Sequence, residues 1–202
     1  MIGGRIESNR TLRQKLDAHS EQEVIVKLIL PTYDGCFACG KKNPIGLKLS
    51  FYLENDQVKA EFTPREELCG FSGILHGGIL SCLIDETLWW SSAVSSGRLV
   101  VTRDLNLRFI KSVTVRKTYI LVGEPAHPDG RTYACKGRIM DQNGTVYVEG
   151  EGNYFPLRWG KNRNPDEMLS YIDDDGNPLP EDRVYRFSVP EEAMGPDRKP
   201  GE

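Results

Sequence analysis

Two short stretches alternate apolar and polar residues at period two, LKLSFYLEN (47–55) and QVKAEFT (57–63), and they flank Asn55-Asp56. Alternation around such a pair predicts two antiparallel strands joined by a tight hairpin. Four further runs rich in Val, Ile, Thr, Tyr and Phe follow later: LVVTRDLNLRFIKSV, TVRKTYILVGE, GRTYACKGRIMDQ and GTVYVEGEGNYFPL. Ser112-Val113, the segment PAHPDG (125–130) and Asn143-Gly144 separate them, the last a strong hairpin turn. Between the second and third strands lies a segment of opposite character, HGGILSCLIDETLWWSSAVSS, which reads as one helix over about 76–95. Ile79, Leu80, Cys82, Leu83, Ile84, Leu88, Trp89, Trp90, Ala93 and Val94 point in nearly every direction around its axis. A helix apolar on almost all sides is buried on almost all sides. The pattern is therefore α+β: a six-stranded antiparallel sheet wrapped around a long central helix.

The two ends differ from this core. Residues 5–18 (RIESNRTLRQKLDA) read as a polar helix whose large apolar side chains are Ile6, Leu12 and Leu16. Residues 157–202 hold 11 of the 29 acidic residues, 7 of the 26 basic ones and 6 of the 12 prolines. That segment carries too few apolar residues for a core of its own, although Leu157, Trp159, Leu169, Tyr171 and Ile172 give it means to dock. The expected division is a helical lead-in over 1–32, a core domain over 33–157 and an acidic, proline-rich extension over 158–202.

Charge and composition exclude several classes of function. A net charge of −3 lacks the basic surplus with which nucleic-acid binders release counterions. No uncharged apolar stretch approaches the roughly 20 residues that span a bilayer. Arg5, Glu7, Arg10 and Arg13 fall where a signal peptide would place its apolar region. Five cysteines are too sparse and odd in number for a disulfide framework, which points to a reducing, cytoplasmic setting. Cys36-x-x-Cys39 is half of a zinc knuckle without a second closely spaced Cys/His pair, so no metal and no cofactor are expected. The Asp173-Asp174-Asp175-Gly176 run lacks the spacing of a calcium loop.

The helix carries the candidate chemistry. His76, Gly77 and Gly78 open it, where the first N–H groups lack partners within the helix and can face a developing negative charge. Asp85 lies eight residues beyond Gly77, roughly 12 Å along the axis, so one substrate carbonyl cannot touch both within a chain. If both serve one reaction, two helices must meet antiparallel at a two-fold dimer with two composite sites. Glu86 points about 100° away from Asp85, whereas Trp89 shares its face and offers a wall for an acyl pocket. Strand alternation puts Thr102, Asp104, Asn106 and Arg108 on one face and Val101, Leu105, Leu107 and Phe109 mainly on the other. Thr102, Asn106 and Arg108 are thus candidates to orient water or substrate. For each of these residues an ordinary structural role predicts the same pattern.

Taken in order, Cys36, Cys39 and Gly40, then Asn43, Pro44, Gly46 and Leu47, then Gly73, His76, Gly77 and Gly78 with Asp85-Glu86, then Thr102 and Leu105 to Phe109, resemble the PaaI-type hotdog-fold thioesterases. The resemblance spans roughly residues 36–156. It implies a hotdog fold, a homodimer or dimer of dimers, and cofactor-free hydrolysis of acyl-CoA. It also implies Asp85 as base or nucleophile, the Gly77 N–H as carbonyl-polarising donor, His76 as support and Thr102 as the hydroxyl that helps place water. Gly78, Glu86, Trp89, Asn106 and Arg108 are the accompanying substrate-binding candidates. Arg103, Arg108, Lys111, Arg116 and Lys117 are basic residues available to CoA phosphates. No G-x-S-x-G nucleophile elbow is present. Two other readings stay open: a non-catalytic acyl-CoA-binding module, and a hotdog hydratase or dehydratase, for which His76 is the available histidine.

Overall fold

The computed structural model describes residues 27–157 and 167–187; the expected N-terminal helix and Trp159 lie outside the described residues. Chain order is β1 (Leu28–Ile29), β2 (Tyr52–Glu54), β3 (Gln57–Phe62), β4 (Cys69–Phe71), β5 (Ile74–Leu75), α1 (Gly77–Ser96), β6 (Val100–Phe109), β7 (Tyr119–Gly123), β8 (His127–Asp129), β9 (Thr132–Met140) and β10 (Val146–Pro156). Eight strands form one antiparallel sheet in the order β1-β2-β3-β7-β9-β10-β6, with β8 on β9; β4 and β5 make a separate small ribbon. The sheet is larger than six strands because two short pieces join it. One is β8, from the segment read as a break, turned back onto β9 through Gly130 at φ 60°.

The expected β2–β3 hairpin forms, with Asn55 and Asp56 both in the left-handed region that a two-residue turn requires. The strand expected from residue 47 begins only at Tyr52. Lys48 adopts φ 59°, which breaks the extended run, while Leu47 and Leu49 bond instead to the carbonyls of Phe37 and Ala38. Asn143-Gly144 turns β9 into β10, pinned by Asp141, whose Oδ1 accepts the N–H groups of Asn143 and Thr145.

The helix α1 is capped at both ends. His76 is its N-cap, and its side chain accepts the Gly78 N–H; Gly97 at φ 65° closes the C-terminus. Leu83, Ile84 and Leu88 are fully buried, and burial of each such side chain contributes about 1.5–3 kcal/mol. Gly123, Gly137 and Gly150 lie in register across β7, β9 and β10, directly beneath the helix. A Cβ there would overlap Ser91, Leu88 and Ile84 respectively, so these glycines allow the helix to lie close on the sheet.

Residues 167–187 return to this unit. Thr32 and Ser170 exchange backbone hydrogen bonds, Val184 bridges Ile29, and Phe187 is buried with its ring 6.4 Å from that of Trp90. Leu169 packs against the core, as its apolar side chain anticipates. Asp173 accepts the N–H groups of Asp175 and Asn177 and so closes its own turn. No helix among the described residues is long and apolar enough to cross a membrane.

Candidate active site

Strand β6 forms one edge of the sheet and runs antiparallel to α1, so the start of the helix lies near Phe109 and its middle near Thr102. A bulge in the β6–β10 pairing shifts the register between Asn153 and Tyr154, opposite Arg103. This corrects the expected strand faces. Simple alternation groups Thr102 with Asn106 and Arg108, but the extra residue turns Thr102 to the helix side, where Leu105 and Leu107 pack. Asn106 and Arg108 stay on the outer face with Lys136, Arg138, Glu149 and Glu151, lining a shallow open concavity of about 400 Å³. Arg108 lies 3.8 Å from Glu149 there, on the far side of the sheet from Asp85.

Asp85 is half-buried at this edge, and two hydroxyls hold the same oxygen. Thr102 Oγ1 donates to Oδ1 at 2.9 Å, and the Tyr154 hydroxyl donates to Oδ1 at 3.1 Å. Oδ2 has no hydrogen-bond partner among the described residues. Burial, and then the charge of Asp85, push the Tyr154 phenol far above its ordinary range, so it remains a donor. Pattern reading missed Tyr154, since it sits 69 residues from Asp85 and reads as one more strand aromatic.

The helix start is divided between two uses. Gly78 gives its N–H to His76 Nδ1 at 2.9 Å, which leaves the imidazole proton on Nε2. The Gly77 N–H has no acceptor among the described residues, and a methyl group added at its Cα would meet Phe109 Cζ at 3.9 Å, an ordinary contact. Of the three candidates at this end, Gly77 is thus the one whose N–H lacks an acceptor among the described residues, while Gly78 and His76 bond to each other. His76 and Asp85 are not paired within the chain. The segment is open, with Phe71 79% and Phe109 55% exposed.

The other helix side-chain candidates, Trp89 and Glu86, have hydrogen-bond partners of their own. Trp89 donates Nε1–H to the Val100 carbonyl at 2.8 Å and stacks edge-on against Trp90, 4.9 Å between centroids. Glu86 faces the Cys36–Cys39 turn: its Oε1 accepts Trp90 Nε1–H at 3.2 Å, and Cys36 Sγ lies 3.5 and 3.6 Å from its two oxygens. Burial first, and then the neighbouring Cys36, push Glu86 up to about 8. The Cys39 thiol, and then the backbone N–H groups of Cys39 and Ala38, hold Cys36 down to about 5. Of the basic candidates, Arg116 pairs with Glu66 and Lys117 with Asp141, while Arg103 lies over the Phe155 ring.

One long helix packed in a wrapped antiparallel sheet is the hotdog architecture. Residues 72–148 match the model of the thioesterase superfamily. The chain is 26% identical over 125 residues to the acyl-coenzyme A thioesterase THEM4 of Bos taurus, covering 60% of this chain and 51% of that protein. It is 26% identical over 85 residues to an uncharacterised protein of Schizosaccharomyces pombe, covering 42% of this chain and 49% of that one. The chain therefore spans about half the length of these curated relatives. A crystal structure of a thioesterase superfamily protein, RHA08564, superposes with a TM-score of 0.55 at 21% identity, covering 74% of this chain and 79% of that one.

Proposed function

We propose that the protein hydrolyses acyl-CoA thioesters in the cytoplasm as a two-fold homodimer, with Asp85 as general base and the partner copy's Gly77 N–H as oxyanion donor. The observation that carries this reading is the state of Asp85: Oδ1 is held by two hydroxyls while Oδ2 has no hydrogen-bond partner among the described residues. A carboxylate so oriented takes a proton from water as the water attacks the thioester carbonyl. The Thr102 hydroxyl donates its hydrogen bond to Asp85, so its lone pairs can accept a hydrogen bond from that water. The tetrahedral oxygen then needs a donor, and the CoA thiolate leaves readily. The acyl-CoA substrate class agrees with the name of the bovine relative, and five free thiols agree with a reducing compartment.

The edge strand supports the dimer. Across its ten residues β6 is largely exposed, and Val101, Phe109 and Ile110 are exposed apolar side chains beside it or on it. A long, apolar, unpaired edge is a pairing surface. Antiparallel pairing of two β6 strands about their midpoint sets Val100 opposite the partner copy's Phe109. The partner copy's Gly77, which neighbours that Phe109, then comes to the end of the strand where Thr102 holds Asp85. A two-fold contact thereby bridges the roughly 12 Å that separates the two groups within one chain.

Mixing tests this arrangement. Gly77 is the first residue of α1 and follows an extended His76, so Gly77→Pro removes the N–H at a position where proline fits a helix. Gly77→Pro and Asp85→Asn are each expected to be inactive and dimeric. Refolded together, they should recover about a quarter of wild-type turnover, since half the dimers then hold one site free of both changes. Recovery absent in proven heterodimers removes the composite site, and full turnover by Asp85→Asn removes the mechanism. A broad acyl-CoA panel with ligand stabilisation but no thiol release would favour the binding-module reading instead.

A further inference from the structure

The turn at Cys36–Cys39 lies on the side of α1 away from Asp85. Cys36 Sγ, Cys39 Sγ and a Glu86 carboxylate oxygen all lie within 4.8 Å of one another. Cys36 Sγ accepts the N–H groups of Ala38 at 3.3 Å and Cys39 at 3.4 Å, donors that favour a thiolate and fix its direction. Gly40 closes the turn with its N–H on the Cys36 carbonyl at 3.1 Å, and any Cβ there would overlap the Asp34 and Cys36 backbone. The ends of the turn are tied down by Leu47 and Leu49, which donate to the Phe37 and Ala38 carbonyls. The third group is held equally firmly, since Trp90 Nε1–H fixes Glu86 Oε1.

This cluster gathers two thiols and a carboxyl with no compensating cation among the described residues. The nearby lysines are engaged elsewhere: Lys41 on Asp174 and Ser50, Lys42 on Asp34, and Lys48 on the Gly40 and Lys41 carbonyls. The geometry already suits a tetrahedral ion. Bonds of about 2.3 Å to sulfur and about 2.0 Å to oxygen place those two atoms roughly 3.5 Å apart. Cys36 Sγ and Glu86 Oε1 are 3.5 Å apart. Cys36 and Glu86 are half-buried, not sealed, so an ion and water can enter.

We propose that Cys36, Cys39 and Glu86 bind one zinc ion, with water in the fourth position. Binding displaces the protons that the three groups share, which pass to solvent, and no change of oxidation state is involved. The site ties the Cys36–Cys39 turn to the middle of α1, one residue from Asp85, and does not touch the proposed reacting atoms.

Cobalt(II) titration of the reduced full-length chain, stripped with chelator, tests this. About one equivalent should bind, with thiolate-to-cobalt absorption and the strong visible bands of a tetrahedral ion, and zinc chloride should displace it. Cys36→Ser, Cys39→Ser and Glu86→Gln should each weaken binding more than the roughly 10- to 100-fold cost of losing a mere orienting partner. Cys69→Ser, and also Asp85→Asn, should retain the full equivalent, so loss of turnover and loss of metal are read separately. Should a cysteine variant misfold, the wild-type chain still decides: zinc should raise its melting temperature and chelator should reverse the rise. Absence of the thiolate band, equal binding by Cys36→Ser, or a Cys36–Cys39 disulfide formed in the presence of zinc each overturns the proposal.

Discussion

Asp85 and Glu86 are neighbours in sequence and opposites in surroundings. Asp85 lies beside the edge strand β6, where two hydroxyls hold one of its oxygens and the other has no hydrogen-bond partner among the described residues. Glu86, turned about 100° around the axis, faces a corner built by Cys36, Cys39 and Trp90. One helix thus carries two acids with separate environments. On a helix that is buried nearly all round, a carboxyl group's role is set by what the sheet and loops place against it.

The comparison breaks most directly at Asp85. Asp85→Asn should lower thiol release from acyl-CoA by about 10²–10⁴-fold, the usual contribution of a positioned base, while the chain stays folded. Next in size are the hydroxyls that hold Oδ1. Thr102→Val and Tyr154→Phe each remove a hydrogen bond to a charged group, worth about 1.5–3 kcal/mol, so turnover should fall roughly 10- to 100-fold in steady-state assays. An unchanged rate in both would show that Asp85 needs no such anchoring.

The packed face under the helix gives the third expectation. Gly137→Ala forces a methyl group against Leu88 and should destabilise the fold by about 1–3 kcal/mol in urea titrations, without a specific effect on substrate binding. The smallest effect lies far from both acids, at the β9–β10 turn. Asp141 is held down to about 2, first by the Lys117 ammonium and then, against the cost of burial, by the Thr145 and Asn143 N–H groups. A carboxyl lowered in the folded state stabilises fully above its unfolded value and loses that contribution as pH falls through the folded one. The stability advantage of wild type over Asp141→Asn should therefore shrink between about pH 4 and pH 2, measured as the difference in urea midpoints.

How far these features can be read without coordinates depends on their range in the chain. The hairpin at Asn55-Asp56, the turn at Asn143-Gly144 and the helix from His76 all follow from residues within a few positions of one another. Asp85 and Gly77 as candidates, and the roughly 12 Å between them, need only the helical rise. Thr102 shows where such reasoning stops. Its residue type is informative, yet one bulge opposite Arg103 reverses its face and separates it from Asn106 and Arg108. Tyr154 carries no local signal at all, because what distinguishes it from other strand tyrosines is an acid 69 positions away.

By itself, then, the sequence determined the α+β architecture, the buried helix and the acid at its middle, since periodicity, turn chemistry and helical rise act over short distances along the chain. Tertiary structure alone decided which oxygen of Asp85 is held, which helix-start glycine has an N–H without an acceptor among the described residues, and that Glu86 meets a pair of cysteines some 50 residues earlier. Those outcomes depend on strand register and on close packing of helix against sheet, where a shift of one residue turns a side chain to the opposite face.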